Sequence, residues 1–326
     1  MALLPVKRWV APGFLPSPPI RSTRYRFGVA RPAIPDEHAP DLRIVGPGEL
    51  QALTELCRRC LPDPPDAEEL SGTLFAGDRP ALVRGDPAVG VVATEVEGDQ
   101  GFVKLLCVDP KIQGNGLGHR LLAAAEADLA AAGATSVTIG ADAPYFLYPG
   151  VETTQTAMIS LLERHHYARV EANFNMEIDL GRIPPDPGGA TVAALEEHDA
   201  LDAWTAEHWP NWRLEVLRAL GKGTLAVSRE PGGDSGSGGD SGSGGGGYRS
   251  FCAYDVNRKG TLGPVAVRPD LMGKGAGVAA LLHALHRMRA AGYAKAEVLW
   301  VGPVVPYARV GGRVNRVFFV YRRFLP

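Results

Sequence analysis

The sequence predicts an α/β fold, a mixed sheet of the α+β kind, built as two similar domains in tandem. Three observations carry this expectation. Residues 265–277, VAVRPDLMGKGAG, lead an apolar strand through glycines into the helical run VAALLHALHRMRAAG, and residues 108–118, VDPKIQGNGLG, do the same ahead of an alanine-rich helix. Gly273 lies 159 positions after Gly114, and that offset holds without a gap for Val108 and Val267, Pro110 and Pro269, Gly116 and Gly275, Gly118 and Gly277, and Leu122 and Leu281. A repeat this long means two similar domains rather than a solenoid, whose periods are far shorter, and 326 residues are enough for two hydrophobic cores.

Residues 1–40 are rich in proline and carry Lys7, Arg8, Arg21, Arg24, Arg26 and Arg31 with no acid before Asp36, the composition of a disordered extension. No apolar segment follows those charges, so a secretory signal is not expected. The first domain, residues 41–182, is predicted to open with a short strand at 42–45 and a helix at 48–60. Three hairpin-connected strands follow at 81–84, 89–95 and 102–108. The glycine turn then leads to a helix ending near Ala132, a strand at 136–140, a helix at 156–165 and a closing strand pair through 167–180. PPDPGG at 184–189 marks the linker, residues 183–190. The second domain, residues 191–326, repeats the order with a strand at 191–195, helices bearing Trp204, Trp209 and Trp212, strands at 225–227 and 249–254, the second glycine turn and a closing segment at 297–323. PGGDSGSGGDSGSGGGG, residues 231–247, reads as a flexible hairpin loop without chemistry.

A hydrophobic content of 45%, 21% charged residues and a formal net charge of −2 describe an ordinary globular chain and point to neither nucleic acid nor an anionic membrane. No run of about eighteen apolar residues exists, which argues against a membrane-spanning helix. Cys57 and Cys60 make a CxxC in a helical stretch with no second ligand pair, so they read as two helix residues in a reducing cytoplasm, with no metal implied.

Glycines between a strand and a helix let the main chain approach an anion, and the unpaired N–H groups of the helix start supply donors and positive dipole. Gln113-Gly114-Asn115-Gly116-Leu117-Gly118 and Met272-Gly273-Lys274-Gly275-Ala276-Gly277 resemble the pyrophosphate loop of the GNAT superfamily of acetyl-CoA-dependent N-acyltransferases, whose pattern is Gln or Arg, two residues, Gly, one residue, Gly or Ala. The second copy departs from it at Met272. The order of elements is the GNAT order, and the segments YFLYPGV and WVGP resemble those of tandem bacterial members, some of which look like amino-sugar acetyltransferases.

The resemblance implies acetyl-CoA as cosubstrate, a small-molecule amine as acceptor, and direct transfer in a ternary complex. Backbone N–H groups near Val265 and Val267, matched by Leu106 and Val108 in the first copy, would hold the thioester carbonyl. Tyr307, with Gly311 four residues on, fits the family's Tyr-x-x-x-Gly and would protonate the leaving thiolate, a proton exchange between groups of similar acidity. The first copy has Leu162 and His166 at those places. Glu297, Asp255, His208 or water are open as the base, and Trp209, Trp212 and Tyr254 as either acceptor lining or core. A catalytically silent CoA-binding sensor or scaffold is the alternative to an N-acetyltransferase.

Overall fold

The computed structural model describes residues 42–77, 79–230 and 247–326; the N-terminal extension and residues 231–246 of the Gly/Ser loop lie outside the described residues. Helices α1 (Leu50–Cys60) and α2 (Ala67–Leu70) precede strands β1 (Leu82–Asp86), β2 (Gly90–Glu97) and β3 (Gln100–Val108). Then come α3 (Leu117–Ala131), β4 (Ser136–Ile139), β5 (Val151–Glu152), α4 (Thr156–Arg164) and β6 (Ala168–Asp179). The second half runs β7 (Ala190–Val192), α5 (His198–His208), α6 (Arg213–Lys222), β8 (Leu225–Arg229), β9 (Tyr248–Tyr254), β10 (Thr261–Val267), α7 (Val278–Ala290), β11 (Lys295–Val298), α8 (Val304–Arg309) and β12 (Arg313–Phe324). Among these residues no helix is long and apolar enough to cross a membrane.

Local sequence accounts for most boundaries. Pro47 heads a short 3-10 turn into α1, whose Leu53, Leu56 and Cys57 fall at helical spacing and are buried. Asp66 and Glu69 form a reciprocal capping box that starts α2. The predicted first strand at 42–45 is reduced to a single bridge, Ile44 to Arg84.

The strands form one sheet in the order β1-β2-β3-β4-β12-β6-β11-β10-β9-β8-β7, with β5 added on β12. Among the described residues only β3–β4 and β10–β11 pair in parallel. The predicted closing strand pair at 167–180 is instead one twelve-residue strand, β6, and it does not pair with β4. β12, from the end of the chain, takes that place, with Tyr321 opposite Ile139 and Phe324 opposite Ser136. β6 crosses to the second half and pairs with β11, Met176 opposite Val298. The cores follow the strands: Tyr321 packs with Leu121 and Leu122 of α3, whereas Met176 and Ile178 pack with Leu281 and Leu285 of α7. Full burial of side chains this size contributes roughly 1.5–3 kcal/mol each, so the exchange ties each half's stability to the other.

Candidate functional site

Each half contains a place where its two parallel strands part. In the first half the ladder ends with Gly140 N–H donating to Val103 O at 2.9 Å, and in the second with Leu299 N–H donating to Leu262 O at 3.2 Å, the same two positions of the repeat. Past these bonds β3 and β10 run on with no strand partner on that side among the described residues. Each also carries a bulge at the parting, at Lys104 in β3 and at Gly263-Pro264 in β10.

A bulge reverses which residues point their N–H groups to a given side of a strand. Asp109 N–H donates to Val89 O on β2's side, and Arg268 N–H to Arg249 O on β9's side. By alternation the N–H groups of Leu106 and Val108, and of Val265 and Val267, therefore face the open fork. These are the four residues the sequence marks as thioester donors, and the structure brings each pair to the same edge.

The glycine turns lie at the ends of these strands. Gly114 and Gly116 have φ of 81° and 89°, Gly273 and Gly275 of 75° and 79°, a region that favours glycine. A Cβ at Gly116, Gly273 or Gly275 would meet nothing within 4 Å, so the concave side of each turn is open. Helix α3 makes its first bond from Arg120 N to Gly116 O, which leaves the N–H groups of Leu117, Gly118 and His119 ahead of it. In α7 the first such bond is Leu281 N to Gly277 O. The second turn is more self-bonded, since Lys274 N–H donates to Leu271 O and Val278 N–H to Gly275 O, while the Ala276 carbonyl accepts from buried Ser250 and Ser228. Both turns present the donors and clearance a pyrophosphate needs, and the orphan N–H groups fit it.

Gln113 and Met272 differ in a way the structure compensates. The Gln113 side-chain amide donates to Val108 O at 3.0 Å and ties the strand end to the turn. Exposed Met272 makes no such bond, but the equivalent carbonyl, Val267 O, accepts from Trp209 Nε1 at 3.2 Å. Trp209, which the sequence placed as pocket lining or core, thus ties down the end of β10 beside the second glycine turn. Trp204 is buried in the α5–α6 core, and Tyr254 in the core under α7.

Tyr307 lies on α8, buried to 7% exposure in the core with Cys252, Val298 and, at its edge, Val265 of the fork. Burial, with a smaller push from Cys252, holds its hydroxyl well above the ordinary phenol range, so it is protonated at neutral pH but a weaker acid than the match in acidity with a thiol expected from the sequence. Leu162 is its counterpart: Gly312 N–H donates to Tyr307 O as Tyr167 N–H does to Leu162 O.

The candidate bases fare differently. Asp255 is spent on its hairpin, accepting from Gly260 N–H at 2.7 Å and Tyr293 hydroxyl at 3.0 Å. Glu297 accepts from Asn175 at 2.9 Å and pairs with Arg316 at 3.4 Å. His208 packs edge-on against Trp204 at 5.3 Å at the end of α5. Cys57, one half of the CxxC, is buried in the α1 core, and all four cysteines are free.

Residues 67–145, from α2 through the first fork, match the family model for the acetyltransferase (GNAT) domain. No curated protein matches the sequence. Among solved structures, the chain is similar to a fungal multi-domain GH3 β-N-acetylglucosaminidase described as having a GCN5-related glucosamine N-acetyltransferase region, with a TM-score of 0.68 at 20% identity over 90% of this chain; it spans 40% of that protein. A GCN5-related N-acetyltransferase from Sphaerobacter thermophilus gives a TM-score of 0.64 at 20% identity, covering 90% of this chain and 97% of the other. A tandem GNAT protein of the clavulanic acid biosynthesis pathway gives 0.63 at 13% identity, covering 87% and 98%. Residues 67–145 therefore carry a GNAT acetyltransferase domain, and the chain as a whole has the fold of the tandem GNAT proteins.

Proposed function

We propose that the chain is an acetyl-CoA-dependent N-acetyltransferase acting on the primary amine of a small molecule, with transfer in the second half, residues 191–326, and the first half, residues 41–182, holding cosubstrate. The observation that supports this most is the doubled fork, in which backbone donors and an open glycine turn stand together at the C-terminal end of one strand in each half. Acetyl-CoA, when bound, supplies the activated acetyl group.

The residues of the chain divide the work. The turns at Gln113–Gly118 and Met272–Gly277 hold the pyrophosphate through main-chain N–H groups. Val265 and Val267 N–H groups hold the carbonyl where negative charge develops, a preorganised pair of donors worth several kcal/mol in such sites. Tyr307, held protonated by burial, would give its hydroxyl proton to the leaving sulfur, a transfer that its raised pKa makes harder. The amine comes to the side of Gly263, where the missing side chain leaves space, and solvent takes its extra proton.

An amino sugar is the first acceptor to try, because a neighbour of this fold is described as a glucosamine N-acetyltransferase region. The test is acetyl-CoA consumption against a panel of amines and amino sugars, with Tyr307→Phe beside wild type. Turnover on one acceptor, a kcat roughly a hundredfold to ten-thousandfold lower in Tyr307→Phe and a little-changed Kd for CoA are expected. The deep burial of Tyr307 supports one second reading, a CoA-binding scaffold, which predicts binding with no turnover on any amine.

A further inference from the structure

The two forks differ in what stands where their strands part. In the first, Lys104 follows the last ladder acceptor, Val103, and Asp142 lies two residues beyond the last ladder donor, Gly140. Lys104 is buried to 4% exposure, with its ammonium 2.5 Å from Glu95 Oε2 and 2.8 Å from Asp142 Oδ2. Arg79 approaches the other Glu95 oxygen at 3.4 Å. Neither Asp142 oxygen has an aligned hydrogen-bond donor, and one oxygen of fully buried Glu215, on α6, also lacks one. A buried ammonium between two carboxylates is a costly arrangement unless each charge answers the others.

The second fork has none of this. Gly263 and Val301 stand where Lys104 and Asp142 do, and Asp255, the strand-pairing counterpart of Glu95, is committed to its turn. A Cβ at Gly263 would meet nothing within 4 Å. One place is therefore filled by a clasped ammonium in the first fork and left open in the second.

The face of the sheet identifies that place. Val91, Ala93 and Leu105 belong to the core under α1 and α2, and Glu95 shares the alternation of Val91 and Ala93. Val103, Val108 and Leu117 belong to the core on the other face, under the helix that the glycine turn starts. A cosubstrate reaching in from the glycine turn leaves the α1 face for the attacking amine.

We propose that the Lys104 ammonium occupies the acceptor-amine position of the first fork, so that this half holds acetyl-CoA without transferring, and that removing its side chain opens a site for a small primary ammonium between Glu95 and Asp142. The inference rests on the forks being thioester sites, and its test separates the two. The atoms deleted in Lys104→Ala correspond to propylammonium. In the full-length variant, propylammonium should raise Tm and bind at least about tenfold more tightly than to wild type, while tetramethylammonium does neither, because the site needs N–H donors between two carboxylates. This arm uses no acetyl-CoA. Absence of propylammonium binding overturns the proposal whatever CoA does.

With acetyl-CoA added to the variant, magnetisation transfer from the acetyl methyl to the propylammonium methylenes should be detected. Amine binding without that transfer, while acetyl-CoA is bound at the first turn, shows a cation pocket that is not the acceptor position and overturns the assignment; no acetyl-CoA at the first turn overturns the thioester reading itself. If Lys104→Ala folds only with propylammonium present, that too supports the site. If it does not fold at all, wild type decides: Lys104 should be the slowest lysine to react with a trace of acetic anhydride, and labelling at the rate of surface lysines overturns the proposal.

Discussion

Val108 and Val267 end equivalent strands, and the carbonyl of each is tied down by a different side chain, Gln113 five residues on in one half and Trp209 on another element in the other. Trp209→Phe keeps a ring and removes the N–H, so it should weaken CoA binding at the second turn by about twofold to tenfold, the range of one neutral hydrogen bond. Adding Met272→Gln should restore part of that loss. Calorimetry in a Gly116→Glu background, where a carboxylate spoils the first turn, isolates the second site; an unchanged Kd in Trp209→Phe would falsify the tie. Gln113 was legible because it lies inside the motif, whereas Trp209 was not, since nothing local links a tryptophan to a carbonyl 58 residues away. The buried carboxylates were equally hidden. Burial raises Glu215 from 4.5 to about 7, so the folded state holds its proton more tightly than the unfolded chain, and stability falls as pH rises from about 4.5 through about 7. Glu215→Gln keeps the acceptor for Asn257 Nδ2 and Tyr145 N–H and removes the titration. The variant should match wild type near pH 4.5 and exceed it at pH 8, by about 3 kcal/mol in urea unfolding.

The strand-turn-helix unit was the most legible element, because its glycines answer to geometry that the local sequence encodes. The third glycine of each motif shows how far the two copies have diverged. A Cβ on Gly277 would lie 2.7 Å from Val267 Cγ2, whereas one on Gly118 would meet Leu161 at 3.4 Å and Val108 at 3.9 Å, ordinary contact. Gly277→Ala should therefore force α7 off its strand and cost roughly 1–3 kcal/mol, with weaker CoA binding at the second turn, while Gly118→Ala should be nearly silent in the same thermal and calorimetric measurements. The Gly/Ser stretch gives a second element-scale expectation. Glu230 N–H donates to Gly247 O at 2.6 Å, so the chain returns to where it left β8. Replacing residues 232–246 by a two-residue turn should leave Tm and turnover nearly unchanged. A large loss of kcat with the fold intact would show that the segment covers the second fork.

Across the whole molecule, periodicity predicted most of the longer strands and helices, though not α2, α8 or β5, and not which strands meet. β6 and β12 each read as the last strand of their own domain, and alternation of side chains says which face is buried without saying whose neighbour completes the ladder. The exchange has a direct test. Residues 42–189 alone lack β12, leaving the β4 edge and the α3 core without Tyr321, and should fail to fold; the complementary fragment lacks β6 and should fail likewise. Produced together, the two should assemble into a complex with the full-length circular dichroism spectrum. A stable, cooperative first fragment would show that β12 is dispensable to it. The same arrangement sets a timetable for biosynthesis. The first half emerges from the ribosome early, yet β4, already paired with β3, gains its second neighbour only when β12 is free to bring Phe324 opposite Ser136. Until then that sheet edge stays open to chaperones, and loss of β12 would cost the cell both forks rather than one.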